Sequence, residues 1–167
     1  MTRDLLISVN DLKKYGLVHD NIDSKLLSYC IWITQEMQVQ EALGTELYKE
    51  MLRREAANDW NTAYTKLKDE YISKVLIAGV DYQYAVKGGN KFVNKGVGKI
   101  SDENYQQNSI NEGYELRKEL LKTLEFFTSK LIGYLKDNCD LYEEYKNSNC
   151  DHEDSKQRQQ KDFPYWG

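Results

Sequence analysis

The sequence predicts an all-α protein, a small bundle of about four to five helices. Three observations carry that expectation. The only proline among the 167 residues is Pro164, so no proline interrupts any earlier helix. Apolar residues recur at three- and four-residue steps over most of the chain, the period of a helix with one buried face. The breaks between these runs fall at Gly16, Gly44, Asn58-Asp59 and Gly88-Gly89, the residue types that end helices.

The elements follow in order. A short first helix starts near Ser8, with Asp11 three residues on as a capping pair, and stops at Gly16. A second begins near Asp20-Asn21-Ile22-Asp23. Its stripe is Leu26, Cys30, Ile33 and Met37, widened by Leu27 and Ile31, and Gly44 ends it. Thr45 reads as the N-cap of a third helix carrying Leu47, Tyr48, Met51 and Leu52. Asn58-Asp59 introduces a long fourth helix, with Trp60, Tyr64, Leu67, Tyr71, Val75, Ala78, Tyr82 and Ala85 on its face. Its second half, 72–86, is apolar on more than one side, which marks the central, most buried helix.

Residues 87–109 form a long connection containing Gly88, Gly89, Gly96 and Gly98. Connections of this length inside a compact domain are uncommon and usually functional. Phe92-Val93 and Val97 to Ile100 flank Asn94-Lys95-Gly96, the pattern of a short β-hairpin, and Lys87, Lys91, Lys95 and Lys99 make the stretch basic. Ser109 and Glu112 form a capping box for the last long helix. That helix runs to about Asn138, with a stripe of Tyr114, Leu120 or Leu121, Leu124, Phe127, Leu131 and Leu135. The chain thus divides into a helical domain, 1–138, and an extended polar tail, 139–167. In the tail Asp140, Glu143, Glu144, Asp151, Glu153, Asp154 and Asp162 outweigh Lys146, Lys156, Arg158 and Lys161. It ends in the aromatic run Phe163-Pro164-Tyr165-Trp166, side chains that favour a docked position over water.

Chemistry is sparse. Net charge is −4, which excludes a strongly cationic nucleic-acid binder. The three cysteines, Cys30, Cys139 and Cys150, are odd in number and widely spaced. They do not suggest a disulfide framework, and a reducing, intracellular origin is expected. No stretch approaches the roughly 20 apolar residues of a membrane span, and no secretory signal is legible. The two histidines, His19 and His152, offer no nucleophile–base pair, and Cys139, Cys150 and His152 lack zinc-ligand spacing. No phosphate-binding glycine motif is present. The expectation is therefore a protein that is not an enzyme, with no cofactor and no metal.

Particular stretches point further. They are the opening Leu6-Ile7-Ser8-Val9-Asn10-Asp11-Leu12-Lys13-Lys14-Tyr15, the junction Gln40-Glu41-Ala42-Leu43-Gly44-Thr45-Glu46-Leu47-Tyr48, and the loop with Phe92-Val93-Asn94-Lys95-Gly96-Val97 and Ser101-Asp102-Glu103-Asn104. The closing Leu131-Ile132-Gly133-Tyr134-Leu135-Lys136-Asp137-Asn138 with Leu141-Tyr142-Glu143-Glu144-Tyr145 completes them. In this order, over roughly residues 5–146, the chain resembles the head–tail connector (adaptor, or head-completion) proteins of tailed bacteriophages, especially those infecting Bacteroidetes-type hosts. The resemblance implies a subunit of a ring, commonly of about twelve copies, at the portal vertex of the virion, made in the host cytoplasm. Its partners would be further copies of itself, the portal protein and further tail or adaptor ring proteins. DNA would pass through the lumen without sequence-specific binding, and an acidic subunit suits such a channel because carboxylates repel phosphates. Interaction residues are expected in the loop, at Lys91, Phe92, Asn94, Lys95, Gly96 and Val97, and in the tail, at Phe163, Pro164, Tyr165 and Trp166. The alternative is a soluble helical regulator or nucleic-acid-binding module using the lysines of 87–100.

Overall fold

A computed structural model describes residues 4–19, 21–87, 90–93, 96–99 and 110–145. Its architecture is mostly helical, as the sequence predicts. Helix α1 (Val9–Tyr15) opens with a complete capping box: the Ser8 hydroxyl accepts from the Asp11 backbone N–H at 3.1 Å, and the Asp11 carboxylate accepts from the Ser8 N–H at 3.3 Å. Helix α2 (Ser24–Thr34) is capped by Asp23, whose carboxylate accepts from the Lys25 N–H at 2.9 Å.

Helix α2 does not simply continue to Gly44. A π turn, Gln35–Val39, precedes the short α3 (Gln40–Leu43), and the Gln40 N–H reaches back five residues to the Gln35 carbonyl. The wider turn rotates everything after it relative to a 3.6-residue stripe. Met37, expected in the core, is consequently exposed, while Gln35 and Val39 are buried. Upstream the stripe is also shifted: Leu27, Cys30, Ile31 and Thr34 are the buried positions, and Leu26 and Ile33 are half-buried.

Gly44 ends α3 with φ 75° and ψ 164°, a conformation open to glycine and strained for other residues. It also serves as the N-cap of α4 (Thr45–Ala57). Thr45, expected as that cap, is the helix's first residue instead, because the left-handed Gly44 already turns the chain. Asn58, in the left-handed region at φ 49°, closes α4.

Asn61, three residues later than the expected break, caps α5 (Thr62–Lys66) by accepting from the Tyr64 N–H at 3.0 Å. A second π turn, Leu67–Ile72, then leads into α6 (Ser73–Lys87) without a break in helical course. The N–H and hydroxyl of Ser73 both point to the Lys68 carbonyl, which satisfies the acceptor that the π turn displaces. Helix α6 is the central element: Val75, Leu76, Ala78, Gly79, Val80 and Asp81 are buried on more than one face. Strands β1 (Asn90–Val93) and β2 (Gly96–Lys99) pair antiparallel, with Phe92 opposite Val97 and Lys91 opposite Gly98.

The 28-residue helix α7 (Ile110–Asp137) packs against α6. Along 113–137 its buried residues begin only at Leu124 and continue with Leu131, Tyr134 and Leu135. Tyr114, expected in the stripe, is 59% exposed. Packing does not stop at 138, where the sequence suggested that the domain ends. A 3-10 turn, Cys139–Leu141, folds the chain back, and Tyr142 and Tyr145 are buried in the core. The expected cap Ser109 and the tail from residue 146 onward lie outside the described residues. No helix among the described residues is long and apolar enough to cross a membrane.

Candidate interaction surfaces

Two polar anchors hold loop segments to the helices. The Gln35 side chain is one. Its Oε1 accepts from the Leu6 N–H at 2.9 Å, and its Nε2 donates to the Asp4 carbonyl and to the Tyr48 hydroxyl, each at 3.1 Å. Tyr48 in turn donates to Glu36 at 2.8 Å. The π turn is what presents Gln35 inward, and one amide thereby ties the N-terminal segment to α2 and α4. Burial, helped by the Glu36 carboxylate, holds the Tyr48 phenol protonated well above its ordinary range. Asp81 is the second anchor. Its Oδ1 accepts from the Leu17 N–H at 3.0 Å, fixing the α1–α2 connection against α6, and a Cβ on Gly16 would meet the same oxygen at 3.2 Å.

The densest cluster of potential chemistry is aromatic. The Tyr142 hydroxyl donates to the Ala63 carbonyl at 3.0 Å and lies 3.0 Å from the Tyr134 hydroxyl. Tyr134 stacks on Tyr71 with centroids 3.9 Å apart, and Tyr64 meets Tyr142 edge-on at 5.3 Å. The Tyr64 hydroxyl donates to Glu144 at 2.7 Å, and the Arg54 guanidinium covers the Tyr64 ring at 3.8 Å. Burial raises the Tyr64 and Tyr142 phenols, and the Glu144 carboxylate adds to this at Tyr64. The Tyr64 and Tyr142 rings are buried and their hydroxyls hydrogen-bonded. They clamp the segment after α7 onto α5 and do not resemble a reactive centre.

Beside this cluster the surface opens into a cleft of about 230 Å³ between the second π turn with α6 and the facing side of α7. Glu70, Tyr71, Lys74, Phe126, Phe127 and Lys130 line it. Phe126 is 56% exposed and stands edge-on to Phe127. The cleft is smaller than the roughly 300–1,000 Å³ of sites for drug-sized ligands, a size suited to one side chain.

The expected site residues fall as follows. Lys91 and Phe92 lie in β1, and Gly96 and Val97 in β2. Asn94 and Lys95, and Phe163, Pro164, Tyr165 and Trp166, lie outside the described residues. Of the basic stretch, Lys87 donates to Gln83 at 2.6 Å and lies over the Tyr29 ring at 5.1 Å. His19 sits in the turn before α2, its Nδ1 accepting from the Asn21 N–H at 3.2 Å. Among the described residues no group of three or more His, Cys, Asp or Glu is arranged to hold a metal ion. Cys30 is a free, buried thiol, whereas Cys139 is disulfide-bonded. That bond departs from the expectation of reduced cysteines.

A model of one protein family matches residues 39–155, from the end of the first π turn through α7 and beyond Tyr145. The chain belongs to the DUF6712 family. That family is described as one of unknown function. The part shared with DUF6712 includes both the tyrosine cluster and the cleft, while α1 and α2 precede it. No curated protein and no solved structure matches this DUF6712 chain.

Proposed function

We propose that the protein is a structural, non-enzymatic subunit of an oligomeric ring at the portal vertex of a tailed phage. There it would join the DNA-filled head to the tail and extend the DNA channel. The observation that carries this reading is the unequal burial of α7. Its residues 113–123 include none that is buried, and Tyr114 and Leu116 are 59% and 47% exposed. A helix that leaves one half of its apolar stripe uncovered offers that half to a neighbour. Ring contacts are heterologous, so the covering surface would lie elsewhere on the next copy. The resemblance of residues 5–146 to head–tail connectors supplies the setting: the portal protein on one side, further adaptor or tail proteins on the other, and DNA passing through without sequence-specific contacts. In this reading the hairpin of β1 and β2 reaches neighbouring subunits, and the location is the virion neck.

The experiment is to probe purified virions for the protein by mass spectrometry and to image assemblies of the protein, alone and with portal protein, by electron microscopy. The expected result is a stoichiometric neck component and a closed ring. Absence from mature particles, together with a strictly monomeric protein in the presence of portal, would refute the proposal.

A further inference from the structure

The cleft on α6 and α7 has two properties that single out an occupant. Its floor is aromatic, built from the half-buried Tyr71 and Phe127 with Phe126 exposed on the rim. Its flanks carry two lysines, Lys74 and Lys130, against one carboxylate, Glu70, and among the described residues neither ammonium is ion-paired; Lys130 only approaches the Phe126 ring, at 5.6 Å. The complementary ligand is an aromatic side chain with an acidic group beside it. Outside the described residues two segments set acidic groups beside aromatics: Asp102-Glu103-Asn104-Tyr105, with a single ring, and Asp162-Phe163-Pro164-Tyr165-Trp166, with three, which is the better match to an aromatic floor.

The route to it is short. Tyr145, the last described residue, is buried next to the tyrosine cluster, and Tyr134 touches both Tyr142 and Tyr71 of the cleft floor. Phe163 lies eighteen positions after Tyr145. The random-coil reach of a linker of that length is about 23 Å, so tethering alone puts the segment within range of the cleft at an effective concentration on the order of millimolar. A contact of modest intrinsic affinity is then well populated. We propose that the cleft lined by Tyr71 and Phe127 seats an aromatic side chain of the chain's own segment Phe163 to Trp166, with Asp162 facing Lys74 or Lys130. This inference does not rest on the ring assignment, because a lone subunit would show it too.

The test is zero-length carbodiimide coupling of carboxylates to lysines in the full chain, read by mass spectrometry on a mixture of ¹⁴N and ¹⁵N chains. The expected result is that Asp162 couples to Lys74 or Lys130 within one chain, in preference to an exposed lysine such as Lys25. Phe163→Ala/Trp166→Ala should reduce that product to the level seen with Lys25, while couplings inside the bundle are unchanged. Coupling of Asp162 spread evenly over surface lysines would overturn the proposal. So would a product found only between differently labelled chains, which would assign the cleft to the tail of a second copy. Retention of the product in the double variant would overturn the aromatic seat.

Discussion

Thr34 and Gly79 meet at the crossing of α2 and α6 with no room for a methyl group: a Cβ built on Gly79 would stand 2.2 Å from the Thr34 Cγ2. Both residues are buried, and the Thr34 hydroxyl has no hydrogen-bond partner among the described residues. Close approach of two backbones is therefore what position 79 supplies. Gly79→Ala should destabilise the fold by about 1–3 kcal/mol through overpacking, despite alanine's better helix propensity. Thr34→Ser, which removes the clashing carbon, should recover part of that loss in the double variant. Urea titration of the four proteins measures it. A Gly79→Ala protein as stable as the parent would contradict the packing described.

Asp81 gives a pH signature with a worked sign. Burial raises its carboxyl above the ordinary 3.8, opposed by the hydrogen bond from Leu17. Between the unfolded and folded values the native state holds more proton, so this residue's contribution to stability falls as pH rises through that window. Asp81→Asn keeps an oxygen for the Leu17 N–H and should abolish that slope at little or no cost in stability. Asp81→Ala orphans the N–H and should cost about 1–3 kcal/mol. Stability measured against pH for the three proteins decides it.

Glu50 should behave in the opposite sense. Hydrogen bonds from Arg53, with the Arg54 charge behind them, lower its carboxyl below the ordinary 4.5. Here the unfolded state binds the proton first, so the contribution is present above the unfolded value and disappears as pH falls through the folded one. Glu50→Gln should remove this acid-side loss. Arg54 is also 3.1 Å from the Asp59 carbonyl and covers Tyr64, so Arg54→Ala should weaken the α4–α5 junction more than Arg53→Ala does.

Tyr142 is fully buried, and its hydroxyl serves both Tyr134 and the Ala63 carbonyl. Tyr142→Phe should cost about 1–2 kcal/mol for the lost bonds. Tyr142→Ala should cost about 3–5 kcal/mol, as large aromatic deletions do. A chain cut at residue 138 should be destabilised like the alanine variant; thermal melts would show this directly.

Cys30 is fully buried, and burial raises its thiol pKa. It should react with a disulfide reagent such as dithionitrobenzoate only after unfolding, at a rate that follows denaturant concentration.

Much of the helical order was legible because it depends on local chemistry. Ser8 with Asp11, Gly16, Gly44 and the doubly apolar run around Val75–Val80 each carry their meaning within a few residues. The failures share one cause. A π turn adds a residue to a helical turn for reasons of tertiary fit, so Met37 was expected inside, whereas the structure exposes it and buries Gln35 and Val39. Asn61 and Asn58 divide between them the work that the sequence assigned to Asn58-Asp59. Tyr142 and Tyr145 looked like part of a polar tail because charged neighbours diluted the local hydropathy; the Tyr142 partners Tyr64, Ala63 and Tyr134 are distant in sequence or across a turn. The cleft was invisible for the same reason, since Tyr71 and Phe127 meet only once α6 and α7 are packed. Lys91, Phe92, Gly96 and Val97 were placed on a hairpin-forming stretch by their glycines, and the strand register is what spacing alone supplies least well.

The late start of burial along α7 has a mechanical consequence. At about 1.5 Å per residue the helix is a rod of about 42 Å, with fully buried residues only from Leu124 onward and half-buried Leu121 the last partial contact before it. Such a rod is a lever whose fulcrum is the α6–α7 contact: a push on its amino-terminal end is delivered as a torque on Leu131 and Leu135 and on the stacked rings of Tyr71 and Tyr134.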